Sequence, residues 1–153
     1  PPEPPNRYER KRPGELVHID TKKLGRIIVP GHRVTGNRSV RVRGAGNRRF
    51  GKAGWEFCHV CVDDATRLAY VEVLADETGE TAAGFLQRAV AWVKSMGVTV
   101  ERVMSDNGAC YRSTVHAGAC RELGLRHLFT QPYRPRTNGK ACVLASTCRP
   151  PRR

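Results

Sequence analysis

The spacing of apolar residues changes several times along this chain, and each change marks an element. Leu16-Val17-His18-Ile19-Asp20 is a short apolar run closed by a carboxylate, which predicts a strand with Asp20 at its tip. Trp55 to Val62 is almost continuously apolar and reads as a mostly buried strand. Asp63-Asp64-Ala65-Thr66-Arg67 reads as a turn, and Leu68 to Leu74 alternates and pairs back as its hairpin partner. From Thr78 the period becomes helical, with apolar residues at Ala82, Phe85/Leu86, Ala89/Val90 and Val93 and a stop at Gly97. A strand over Val98 to Met104 follows and delivers Asp106. Ser113 then caps a helix through Leu123, Gly124 ends it, and Leu125 to Thr130 is a last short strand. The stretch from Thr21 to Gly54 shows no clear period.

The flanks differ in composition from this middle. Pro1-Pro2-Glu3-Pro4-Pro5 cannot enter a helix or a central strand, and the charged run to Gly14 continues it as a linker. Residues 1–14 are therefore expected to be a Pro-rich basic linker whose upstream part is absent. Residues 15–142 are expected to be one folded core and residues 143–153 a foreign basic tail. A chain of 153 residues is long enough to bury a real core.

Charge narrows the partners. The net charge is +13, and between Thr21 and Gly54 there are ten Lys or Arg and no Asp or Glu. One-sign blocks of this kind favour polyanions; a solvated loop in an arginine-rich protein is the alternative reading of that block alone. Six cysteines without regular spacing, signal peptide or membrane-spanning run point to a reducing cytoplasm rather than a disulfide framework. Cys58-His59-Val60-Cys61 lies in a predicted strand, where residues three apart face opposite ways. It reads as two buried thiols rather than half of a zinc site.

Asp20 and Asp106, each at the expected tip of a strand, make half of a divalent metal site. Asp106-Asn107-Gly108 forms a turn, and Pro132-Tyr133-Arg134-Pro135-Arg136-Thr137-Asn138-Gly139-Lys140-Ala141 leads to residue 142, with 35 residues between it and Asp106. These motifs resemble the catalytic core of DDE transposases and retroviral-type integrases, in particular bacterial insertion-sequence transposases. The resemblance implies an α/β, ribonuclease H-like fold: a mixed five-stranded sheet of three antiparallel and two parallel strands, with helices on both faces. It also implies a helix-turn-helix module ahead of the linker and a location in the bacterial cytoplasm with the nucleoid.

In that family two divalent ions, Mg²⁺ or Mn²⁺, activate the attacking oxygen and stabilise the leaving one. Carried over, Asp20 bridges both ions and Asp106 holds one. Asp63 and Asp64, in their turn context, are assigned a structural role, and Glu122 has no evident part. The implied partner is double-stranded DNA, reached by Lys22 and Lys23 beside Asp20 and by Tyr133, Arg134, Arg136, Asn138 and Lys140. Tyr133 is placed to stack on a base and the cations to meet phosphates. A homo-oligomer, or a mixed oligomer with intact transposase, is a further expectation, and no membrane is involved.

The pattern breaks at one residue. The family's third acid is a glutamate, and this chain has Cys142, followed by a tail in which Pro150 and Pro151 forbid a long helix. A thiolate is soft and poorly matched to Mg²⁺, so at most one ion is expected here. Three readings follow: an impaired integrase core, a non-catalytic DNA-binding protein or regulator derived from a transposase, or a ribonuclease H-like nuclease with another third acid.

Overall fold

The structure, a computed structural model, describes residues 10–26, 32–37 and 54–130. Five strands form one sheet in the order β3-β2-β1-β4-β5. β1 (Val17–Gly25) pairs antiparallel with β2 (Trp55–Asp63), which pairs antiparallel with β3 (Ala69–Leu74). β4 (Arg102–Ser105) runs parallel to β1, and β5 (Arg126–Phe129) parallel to β4. A short α1 (His32–Thr35) precedes β2, and α2 (Gly79–Ser95) and α3 (Thr114–Glu122) supply the crossovers that parallel neighbours require. This is the mixed ribonuclease H-like sheet the sequence led us to expect. The further helix of that expectation lies after residue 130, outside the described residues.

α2 forms where the sequence places it. Thr78 caps it, its hydroxyl accepting from the Thr81 N–H at 3.3 Å, and Gly97 follows it at φ +79°. Its stripe of Ala82, Phe85, Leu86, Ala89 and Val93 is buried against Val17, Ile19, Cys61 and Val103 of the sheet. Each large side chain in that cluster contributes about 1.5–3 kcal/mol by leaving water. Phe85 anchors it, stacking on His59 and Tyr70 with centroids at 5.3 and 5.8 Å. α3 adds Cys120 to the same cluster, so both helices cover one face. Cys58 faces the other way, into a small cluster with Val60 and Val62, so the CxxC thiols do point to opposite sides.

Two strand boundaries differ from expectation. Asp20 does not end a strand: β1 runs on to Gly25, with Thr21 to Gly25 paired against His59 to Trp55. Apolar patterning stops at Asp20 because β1 leaves the core there, while its backbone still has a partner in β2. β4 is shorter than Val98–Met104. Its lead-in is tied by single bonds, from Glu101 N–H to the Gly14 carbonyl and from Arg126 N–H to the Glu101 carbonyl. Gly14 is obligatory at that crossing: its φ is +77°, and a Cβ there would stand 2.2 Å from the Thr99 oxygen.

Asp63 and Asp64 are structural, as their turn context suggests. Asp63 accepts from the N–H groups of Gly14 and Thr66 and the Thr66 hydroxyl; Asp64 accepts from Arg10 N–H and His18 Nε2. Both are buried, and these bonds offset the desolvation that would otherwise forbid it.

Candidate active site

Parallel pairing brings the two aspartates together. The β1–β4 register couples Val17 with Val103 and His18 with Met104, and then stops. Asp20 and Asp106 each lie two residues beyond the last coupled pair, at equivalent positions past the carboxyl end of the ladder, where sheets of this kind open a crevice. The cleft has a volume of about 290 Å³ and is lined by Asp20, Thr21, Glu77, Asp106, Gly108, Ala109, Cys110 and Tyr111.

The carboxylates are held differently. Asp20 is half-buried and accepts from the Thr21 backbone N–H at 2.9 Å. Burial raises its pKa above the ordinary aspartate value; the Thr21 bond opposes this, the negative charge of Asp106 adds to it, and Lys22 opposes it. Mutual repulsion across a cleft is the electrostatic condition that a bound cation relieves. Asp106 is exposed and closes a tight turn by accepting from the Gly108 N–H at 2.9 Å. A side chain at Gly108 would place its Cβ 2.9 Å from that same oxygen.

Behind Asp20 a chain of hydrogen bonds has one consistent direction. His59 Nε2–H donates to the Asp76 carbonyl at 2.9 Å, so in the neutral ring Nδ1 accepts from the Thr21 hydroxyl at 3.2 Å. Thr21 Oγ1 therefore accepts from the Tyr111 hydroxyl at 2.8 Å. This chain ties β1, β2, the loop before α2 and the loop before α3 to one another around the cleft. Burial keeps the Tyr111 hydroxyl firmly protonated, consistent with its place as donor.

Neither Glu77 nor Tyr111 stood out in the sequence. Glu77 precedes the Thr78 cap, so it reads as an ordinary residue before a helix; only the fold carries it to the cleft. Lys22 lies next to the cleft along β1. Lys23 points elsewhere, its ammonium over the rings of Trp55 and Phe57 at 4.7 and 5.7 Å. Glu122 lines a different cavity, between α2 and α3. Tyr133, Arg134, Arg136, Asn138, Lys140 and Cys142 lie outside the described residues.

A hard divalent ion suits this donor set. Two carboxylates, with a third at the cleft wall, offer the oxygen ligands that Mg²⁺ and Mn²⁺ prefer, and the cleft has room for the waters such ions retain. Cys110 also lines the cleft, but burial raises its thiol pKa and keeps it protonated.

Comparison with known proteins agrees with this architecture. A chain of the simian T-cell lymphotropic virus intasome in complex with PP2A regulatory subunit B56 gamma superposes with a TM-score of 0.64 at 20% identity, over 91% of this chain and 40% of that one. The catalytic core domain of BIV integrase superposes with a TM-score of 0.53 at 18% identity, over 88% of this chain and 65% of that one. The chain thus spans less than two thirds of either, and likeness at this identity speaks for the fold. No curated protein matches the sequence. No helix among the described residues is long and apolar enough to cross a membrane. The integrase core domain model matches residues 10–135, most of the sequence and the whole of the described sheet. This chain belongs to the integrase core domain family.

Proposed function

We propose that residues 15–142 are the core of a DNA-integrating enzyme of the bacterial insertion-sequence transposase type, impaired in strand transfer and retaining affinity for double-stranded DNA. Residues 1–14 act as a linker and 143–153 as a basic tail. The observation that carries the reading is the pair Asp20 and Asp106, set side by side past the end of the β1–β4 ladder. In this reading the pair holds one Mg²⁺ or Mn²⁺, which supplies charge stabilisation for the oxygens of a phosphodiester. Asp20, deprotonated, presents its carboxylate to the cleft, and the Thr21–Tyr111–His59 chain fixes the backbone around it. Lys22, with the basic residues after Pro132, meets the phosphate backbone.

The impairment follows from Cys142, where the family pattern has its third carboxylate. Removing one member of a catalytic set costs on the order of 10³-fold or more. The test is a DNA-joining assay with purified chain and Mg²⁺ or Mn²⁺. The expected result is joining at least that far below an intact family member; vigorous joining abolished by Asp20→Asn overturns the impairment. Calorimetry with Mn²⁺ should show binding that Asp106→Asn removes.

A second reading is favoured by the basic block and the missing acid: a regulator that occupies DNA, or joins intact transposase in mixed oligomers. If six to ten phosphates are contacted, affinity for duplex DNA falls roughly 10³- to 10⁵-fold between 50 and 200 mM salt. Salt-insensitive DNA binding would count against both readings.

A further inference from the structure

Between α3 and β5, three side chains converge that the integrase reading does not use; one of them, His116, packs edge-on against Tyr111 of the aspartate cleft with ring centroids 5.4 Å apart. His116 and Cys120 lie four residues apart on α3 and so share one helix face, and His127 reaches them from β5. One ligand-type atom from each lies within 4.8 Å of the others. Cys120 Sγ is 3.8 Å from His116 Nδ1, and the two imidazole centroids are 5.0 Å apart. Tetrahedral bonds of about 2.3 Å to sulfur and 2.0 Å to nitrogen separate ligand atoms by about 3.5 Å, so small side-chain rotations close the set.

Two observations favour a ligand over plain packing. His116 is wholly buried, yet its Nε2 has no hydrogen-bond partner, an arrangement that costs about 1–3 kcal/mol when nothing satisfies it. His127 is already oriented. The Ser105 hydroxyl has one proton, donated to the Asp106 carbonyl at 3.0 Å, so at 2.8 Å it accepts from His127 Nε2–H. That leaves Nδ1 of His127 as the nitrogen with a free lone pair. A histidine pinned through its second nitrogen to an oxygen is the usual supporting arrangement around metal-bound imidazole.

We propose that His116, Cys120 and His127 form a site for one zinc-class divalent ion that staples α3 to β5. Two imidazoles and a thiolate select a borderline ion over Mg²⁺. An open cavity of about 480 Å³, lined in part by Cys120, His127 and Arg121, gives the entry path and room for a water at the fourth position. In the metal-free chain burial holds the Cys120 thiol protonated, with its pKa pushed up to about 11. Metal binding releases that proton to solvent while both imidazoles stay neutral. The site stands apart from the integrase reading, since its ligands are none of the residues assigned to that cleft.

The experiment is titration of the purified chain with Co²⁺, reading the sulfur-to-cobalt absorption band, followed by displacement with Zn²⁺. One equivalent is expected to bind. The band should vanish in Cys120→Ser and survive in Cys58→Ser, in the paired Cys142→Ser/Cys148→Ser variant and in Asp106→Asn. Ser105→Ala should weaken Zn²⁺ about 10- to 100-fold. Because Cys120→Ser could fail to fold, X-ray absorption at the zinc edge of the unaltered chain is the second measurement, expected to show one sulfur and at least two nitrogen neighbours. Absence of Co²⁺ binding, a band that survives Cys120→Ser, or an all-oxygen shell each overturns the proposal.

Discussion

The end of β4 faces two unlike environments. Asp106, just past the strand, is exposed and meets Asp20 in an open, oxygen-lined cleft. Ser105, one residue earlier, is buried and points to His127, in a pocket of nitrogen and sulfur. The two residues are adjacent in the chain, the last of β4 and the first after it, so one stretch of backbone supplies both sites. Donor type then decides the chemistry. The cleft offers carboxylate oxygens, whereas the other site offers imidazole nitrogens and a thiol, with His116 driven down to about 4 through burial and then through His127. The two sides should therefore sort metal ions by hardness.

The largest expected effect breaks that division. Asp106→Asn should abolish Mn²⁺ binding and reduce any residual DNA joining by on the order of 10³-fold, while Zn²⁺ binding is unchanged; parallel calorimetry with both ions reads this. If both ions are lost together, the sides are not independent.

Next is His116→Phe, which removes the unsatisfied nitrogen and keeps a similar shape. Zinc at a hundredfold excess over Kd should stabilise the unaltered chain by about 2.7 kcal/mol and the variant not at all. Without metal the variant should be the more stable, by about 1 kcal/mol. Thermal unfolding with and without chelator checks both.

Gly79→Ala sharpens the comparison by disturbing the frame common to both sides. A Cβ at Gly79 would meet Ser113 Oγ at 2.4 Å, forcing the start of α2 away from the cap of α3. Destabilisation of about 1–3 kcal/mol is expected, with weaker binding of both ions, read by urea unfolding and the same calorimetry.

The smallest effect concerns pH. The carboxyl of Asp20 titrates above its ordinary value in the folded chain, so the protonated form is favoured by folding. Its contribution to stability is full below the unfolded pKa and is lost as pH rises through the folded one. In chelator, Asp20→Asn should therefore be slightly more stable than the unaltered chain at neutral pH. The difference should disappear as pH falls below the unfolded pKa near 3.8; chemical denaturation at several pH values measures it.

Much of the helix content was legible in the residues. Thr78, Gly97, Ser113 and Gly124 act locally, through caps and left-handed turns whose energetics involve only a few neighbours, and the helices stop where those residues say. The end of β1 was not legible. Thr21 to Gly25 carry no apolar pattern and remain strand only because β2 offers its backbone partners. The site was half legible. Asp20 and Asp106 declare themselves by their place after apolar runs, but Glu77 and Tyr111 come to the cleft through two crossovers, and no local signal marks them. The spacing of His116 and Cys120 could have been noticed as one helix face; the approach of His127 could not.

By itself, then, the sequence determined what short-range physics controls: periodicity, caps, the carboxylates after apolar runs and the basic block. Tertiary structure decided what depends on register. Parallel pairing of β1 with β4 set two aspartates 86 residues apart in sequence at matching positions. The packing of α3 against β5 gathered two histidines and a thiol within reach of one another. Those juxtapositions join residues far apart along the chain, and only a folded sheet fixes such distances.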